Sequence, residues 1–237
     1  MDAAVILDEI PLRIDPAEVR AFQAHKGWMG PADAGDGQIE QAIAAVAGVM
    51  RPRAVYRTAA VVAAERDRLV LAGGIRLHIP GIGEHWGPVD TVVAALVTIG
   101  AGVEALVRER REAGNPAGAT LLDSAASAAV ECLAEWLNDY LCDRAVATGR
   151  RATNRISPGV AGWALAEQAT LLGLLPAAAI DVTPGADGML APAKTISLLV
   201  GAGRAARVDH YFPQCRRCWV EGCPARRAPR ATTVAAM

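Results

Sequence analysis

Apolar positions along this chain fall into two periods, and the changes between them mark the elements. Residues 5–14, with Pro11 inside them, carry short extended segments, and residues 38–50 form an alanine-rich helix stopped by Pro52. Residues 54–63, 68–72 and 75–79 alternate or run apolar, and Gly73-Gly74 supplies the turn between the last two, which predicts a β-meander. The β-branched run at 91–99 predicts a buried central strand, and residues 103–111 return to helical spacing before Gly114-Asn115-Pro116 breaks the chain. The strongest helix covers residues 121–142, where Val130, Leu133, Leu137, Tyr140 and Leu141 share one stripe and Glu131 and Glu135 share another side. Its small run, Ala125 to Ala129 with Ser127 inside, admits either another backbone or a flat ligand at close range. A helix-like stretch at 163–175 and strands at 180–182 and 195–200 complete the pattern. The predicted class is α+β, a twisted and mostly antiparallel sheet flanked by helices. One domain is expected over 1–203 and a cysteine-bearing appendix with a basic tail over 204–237, where Arg, Cys and Pro take over.

Composition narrows the classes of function. With 237 residues, 52% hydrophobic and 21% charged, the chain can bury a core, and a net charge of -1 offers no general nucleic-acid surface. The start lacks a basic segment ahead of a long apolar one, and residues 91–107 are interrupted by Gly100, Gly102 and Glu104, so a cytoplasmic protein without a membrane span is expected. Five cysteines, bunched towards the end, suit thiolate or metal chemistry better than a disulfide framework.

Two constellations can carry chemistry. Cys215-Arg-Arg-Cys218-Trp-Val-Glu-Gly-Cys223 can wrap a metal, and a fourth ligand from His210, Cys132, Cys142, a partner or an exogenous ligand would complete zinc or an iron-sulfur cluster; unligated thiols and a redox pair are the other readings. The spacing is not the CxxxCxxC loop of radical S-adenosylmethionine enzymes. The second constellation is Arg155-Ile156-Ser157-Pro158-Gly159, a guanidinium ahead of a Pro-Gly turn that can clamp a carboxylate and let backbone amides approach a ligand. Gly201-Ala-Gly203-Arg-Ala-Ala206 imitates a dinucleotide motif, but no second strand with an acidic residue follows, so a strand-end turn is expected. His25, His78, His85 and His210 are scattered, without HxxxH or HExxH spacing.

Three segments occur in an order that resembles the activation domain of cobalamin-dependent methionine synthase: residues 131–137, Arg155 to Gly159 with residues 168–175 after it, and Val182-Thr183 followed by Met189, Pro192 and Ser197. The resemblance covers about the second half of the chain and is greatest to stand-alone relatives that end in a cysteine cluster. It implies S-adenosylmethionine as ligand, with Arg155 on its carboxylate, Glu131 facing its ammonium or ribose, and backbone groups of Ile156, Ser157 and Gly159 at the adenine. It also implies a corrinoid methyltransferase partner that carries cobalamin, because this chain lacks a DxHxxG signature and room for substrate modules. A flavodoxin-like protein or a centre held by Cys215, Cys218 and Cys223 would supply the electron. A metal or iron-sulfur redox subunit and a docking module for a corrinoid domain are the competing expectations. The family's aromatic after Pro-Gly is replaced by Val160, and Tyr211-Phe212 is the nearest counterpart of its tyrosine pair.

Overall fold

A computed structural model describes residues 1–25, 35–160, 162–185 and 187–207. The strands are β1 Val5–Leu7, β2 Arg53–Ala64, β3 Arg68–Leu71, β4 Arg76–His78, β5 Thr91–Thr98, β6 Arg151–Ala152, β7 Thr183–Pro184, β8 Leu190–Ala191 and β9 Thr195–Gly203. The helices are α1 Pro16–His25, α2 Asp36–Val49, α3 Ile82–Trp86, α4 Gly102–Glu112, α5 Pro116–Ala147 and α6 Gln168–Leu172. Seven strands form one antiparallel sheet in the order β4-β3-β2-β5-β9-β6, with β1 also on β2; β7 and β8 make a separate pair. The long β2 gives one edge to β5 and divides the other between β1 and β3. Its register slips between Val61 and Ala63, and a slip of that kind bends a strand and increases its twist. The predicted α+β class with helices flanking an antiparallel sheet is what the chain adopts.

Both faces of the sheet are covered, which explains the unbroken apolar run of β5. Val93, Ala95 and Val97 point to a cluster shared with α1, α2, α4 and α5, while Val92, Ala94 and Leu96 point to a second cluster with Trp86, Trp163, Leu171 and Leu174. The small residues of α5 are used for packing, since Ala125, Ala126, Ala128 and Ala129 are fully buried in the first cluster. Asn115 caps α5 by accepting from the Gly118 amide at 2.7 Å, and Pro116 occupies the first turn, where its missing N–H costs nothing.

Three expectations change. Residues 180–182 are not a strand: Ala177–Ile180 is a 3-10 turn closed by Asp181 at φ 57, and Arg53 holds it by donating to the Ala179 carbonyl and the Asp181 carboxylate. The stretch 163–175 shortens to a 3-10 turn, Leu165–Glu167, and the five residues of α6. Gly201 and Gly203 lie inside β9 rather than in a turn after it, because a Cβ on Gly201 would stand 2.6 Å from Trp86 Cε3 and one on Gly203 would stand 2.6 Å from the Pro88 carbonyl. No helix among the described residues is long and apolar enough to cross a membrane. The chain stays on the body as far as Ala206, which is buried, and Arg207, whose amide donates to the Trp86 carbonyl.

Candidate functional site

Arg155 reaches its position through a one-residue bulge. Ala152 stands opposite Ala202 and Ile156 opposite Leu199, so four steps along one strand match three along its neighbour. An odd insertion reverses which face the following residues point to. Ala152 and Arg155 therefore both face the helix layer, whereas Ile156 packs against the second cluster. The Thr153 amide donates to the Gly201 carbonyl and the Thr153 hydroxyl accepts from the Gly201 amide, which locks the strand on the near side of the bulge.

On α5, Asp123, Ser127, Glu131 and Glu135 recur every fourth residue and form one polar ridge. Arg155 meets the far half of this ridge: its Nη2 donates to Glu131 Oε2 at 2.5 Å and to Glu135 Oε1 at 2.9 Å. Lys194 meets the near half, with Nζ 2.7 Å from Asp123 Oδ1 and 2.9 Å from Ser127 Oγ. Arg155 is only 5% exposed, against 26% for the Glu131 side chain and 56% for Glu135, so the cation is the deep member of the group. Burial works hardest against the Arg155 charge, but the two carboxylates, by attraction and by accepting its hydrogen bonds, outweigh it and hold the guanidinium above its ordinary pKa.

The turn that follows is built as the sequence predicts. The Val160 amide donates to the Ser157 carbonyl at 3.1 Å, with Pro158 and Gly159 between them and Gly159 at φ 84, a type II arrangement that favours glycine. Several of its backbone groups are already committed. The Ile156 amide and carbonyl both bond Leu199, at 2.9 and 2.8 Å, and the Gly159 amide donates to the Trp163 carbonyl at 2.7 Å. Leu165 lies 3.5 Å from where a Gly159 Cβ would stand and 3.7 Å from a Gly188 Cβ, so exposed Val160, Leu165 and Met189 form an apolar rim at the turn.

Residues from two of the segments that carry the family resemblance are tied together near this turn. Buried Gln168 accepts from the Ser197 hydroxyl at 2.8 Å and donates to the Gly188 carbonyl, tying α6 to β9 and to the loop ahead of Met189. Glu131 thus meets Arg155, and Ile156, Ser157 and Gly159 follow Arg155 along the chain, with Ile156 turned to the opposite face of the sheet. Glu135 is the member that sequence reasoning left without a role, although its i+4 spacing from Glu131 signalled a shared face. A hollow of about 430 Å³ beside Lys194, floored by Val103 and Val107, and another of about 500 Å³ at Asp8 and Glu9, lie away from Arg155. Cys215, Cys218, Cys223, His210 and Tyr211-Phe212 fall outside the described residues. Cys132 and Cys142 are half-buried, and both thiols are pushed above the usual thiol range, chiefly by burial. Among the described residues no group of three or more His, Cys, Asp or Glu side chains is arranged to hold a metal ion.

No protein-family model and no curated protein matches this sequence. Among solved structures it is similar to the MetH reactivation domain bound to AdoHcy, with a TM-score of 0.58 at 12% identity over 89% of this chain and 80% of that one. At that identity the likeness is one of architecture, and the chain has the fold of the MetH reactivation domain.

Proposed function

We propose that this chain binds S-adenosylmethionine at the site formed by Glu131, Arg155, Ile156, Ser157 and Gly159, and serves as the activation subunit of a corrinoid methyltransferase in the cytoplasm. The observation that carries this reading is the buried Arg155 held on Glu131 and Glu135 directly ahead of the Ser157–Val160 turn, in a chain with the fold of a domain solved with AdoHcy. The groups present suit such a ligand: carboxylate oxygens for its ammonium, a fixed guanidinium for its carboxylate, and an apolar rim of Val160, Leu165 and Met189 beside a glycine turn for its adenosine. Bound there, S-adenosylmethionine would give its sulfonium methyl, as a cation, to the partner's cobalt once a one-electron reduction has made that cobalt nucleophilic, and would itself be left as S-adenosylhomocysteine. The protein's own residues bind and orient, which makes the encounter effectively unimolecular. The electron would come from a flavodoxin-like donor, or from zinc-free iron-sulfur chemistry if Cys215, Cys218 and Cys223 hold a cluster rather than zinc.

Calorimetric titration of the full chain with S-adenosylmethionine tests the reading. Arg155→Ala is a poor probe, since it empties a buried position and leaves the Glu131 and Glu135 carboxylates side by side without their shared cation. Glu131→Gln keeps the shape and removes one charge-assisted contact. Saturable binding is expected, weakened by roughly ten- to a hundredfold in Glu131→Gln, the equivalent of a charged hydrogen bond of about 1.5 to 3 kcal/mol. No heat of binding at millimolar ligand from folded protein would sink the proposal.

A further inference from the structure

We infer that Glu135, together with Glu131, makes the site selective for the charged sulfonium ligand over its demethylated thioether product, with Arg155 holding both carboxylates in place. This deepens the S-adenosylmethionine reading and rests on it.

The geometry is that of a buried cation serving two less buried anions. Both carboxylates draw on a single nitrogen of Arg155, at 2.5 and 2.9 Å. The three formal charges sum to one negative charge, and it sits on the outer side, because Glu135 is 56% exposed and Arg155 only 5%. Glu135 binds Arg155 through Oε1, which leaves its second oxygen for an incoming group. A ligand arriving from solvent thus meets carboxylate before it meets guanidinium. Opposite charge is drawn to such a rim and like charge is repelled, over distances where a partly buried site is screened less than open water. S-adenosylmethionine carries an ammonium, a sulfonium and a carboxylate; its product S-adenosylhomocysteine has lost the methyl cation and with it the sulfonium charge. Their shapes are otherwise alike, so the difference between them is the difference that a net anionic rim can read. The same preference would speed exchange, since transfer of the methyl group converts a favoured ligand into a disfavoured one in place.

The test is titration of the full chain and of Glu135→Gln with both ligands, with thermal midpoints recorded for each protein. The wild-type chain should bind S-adenosylmethionine roughly fivefold or more tightly than S-adenosylhomocysteine, a magnitude in keeping with one partly exposed ion pair. In Glu135→Gln that ratio should fall towards one. A merely structural role for Glu135 would move both affinities together and leave the ratio alone, which overturns the inference, as do equal affinities in the wild-type chain. Binding of both ligands with an unchanged ratio would sink this inference and spare the site; binding of neither to the wild-type chain would sink the site and this inference with it.

Discussion

At the scale of single residues, the burial of polar tips decides what each group can do. Tyr56 is 5% exposed beneath Tyr140, whose ring it meets edge-on at 6.2 Å, and Tyr140 in turn stacks on Trp136 at 5.4 Å. Burial, followed by the hydrogen bond and proximity of Tyr140, pushes Tyr56 up to about 12 from its ordinary 10.0, with Arg144 pulling weakly the other way. The charged form is therefore disfavoured in the folded chain, and the unfolded chain gives up this proton first. Stability from this residue is whole below about pH 10 and is lost as pH rises towards about 12. Denaturant unfolding across that window should show a shallower decline in Tyr56→Phe than in the parent; equal slopes would place the alkaline sensitivity elsewhere. Arg155 follows the same logic with a different result, because its partners keep it charged at every practical pH. Its Pro-Gly turn is legible in the sequence, since Pro158 fixes its own φ and Gly159 tolerates the positive φ that the next position of such a turn requires. The bulge that aims it at α5 was not, because that insertion exists only in the pairing with β9.

At the scale of elements, β9 shows why local reading fails where packing dictates. Gly201 and Gly203 read as turn residues because isolated glycines weaken strands, yet here α3 and the segment after it press so closely on the sheet that no side chain fits. Gly201→Ala would place its Cβ 2.6 Å from Trp86 Cε3 and 2.9 Å from Val89 Cγ1. Overpacking of this kind costs about 1 to 3 kcal/mol. A lowered thermal midpoint with the antiparallel circular dichroism signal retained is the expected result; an unchanged midpoint would show that Trp86 swings aside without strain. The elements that sequence reading located well, β2 through β5 and α5, are those whose apolar period matches a single buried face or a fully buried strand. Those it lost, the 3-10 turn at Ala177–Ile180 and the shortened α6, are held by remote partners such as Arg53 and Ser197 that no local window contains. The run Ala125 to Ala129 admitted a ligand or a neighbouring helix on sequence grounds, and contact with α1, α2 and α4 resolves it as packing.

At the scale of the whole molecule, the central strands belong to both hydrophobic clusters, since β5 and β9 send alternate residues to opposite faces. Neither cluster can open without breaking strands that the other needs, so the described body should unfold in one step. The proposed ligand site is joined to both: Glu131 and Glu135 ride on α5 over the first cluster, while Ile156 bonds Leu199 and packs in the second. Ligand binding should therefore stabilise the entire body rather than one layer of it. At a free concentration of S-adenosylmethionine one hundred times its Kd, binding to the folded state alone adds about 2.7 kcal/mol. For a domain of this size that corresponds to a rise in Tm of roughly 5 to 10 °C. Calorimetric scans with increasing ligand should show a single peak moving upward as one, and Glu131→Gln should need roughly ten- to a hundredfold more ligand for the same rise. Two separate transitions, of which only one responds to ligand, would show that the helix layer and the outer layer are energetically independent, and that the site belongs to one of them alone.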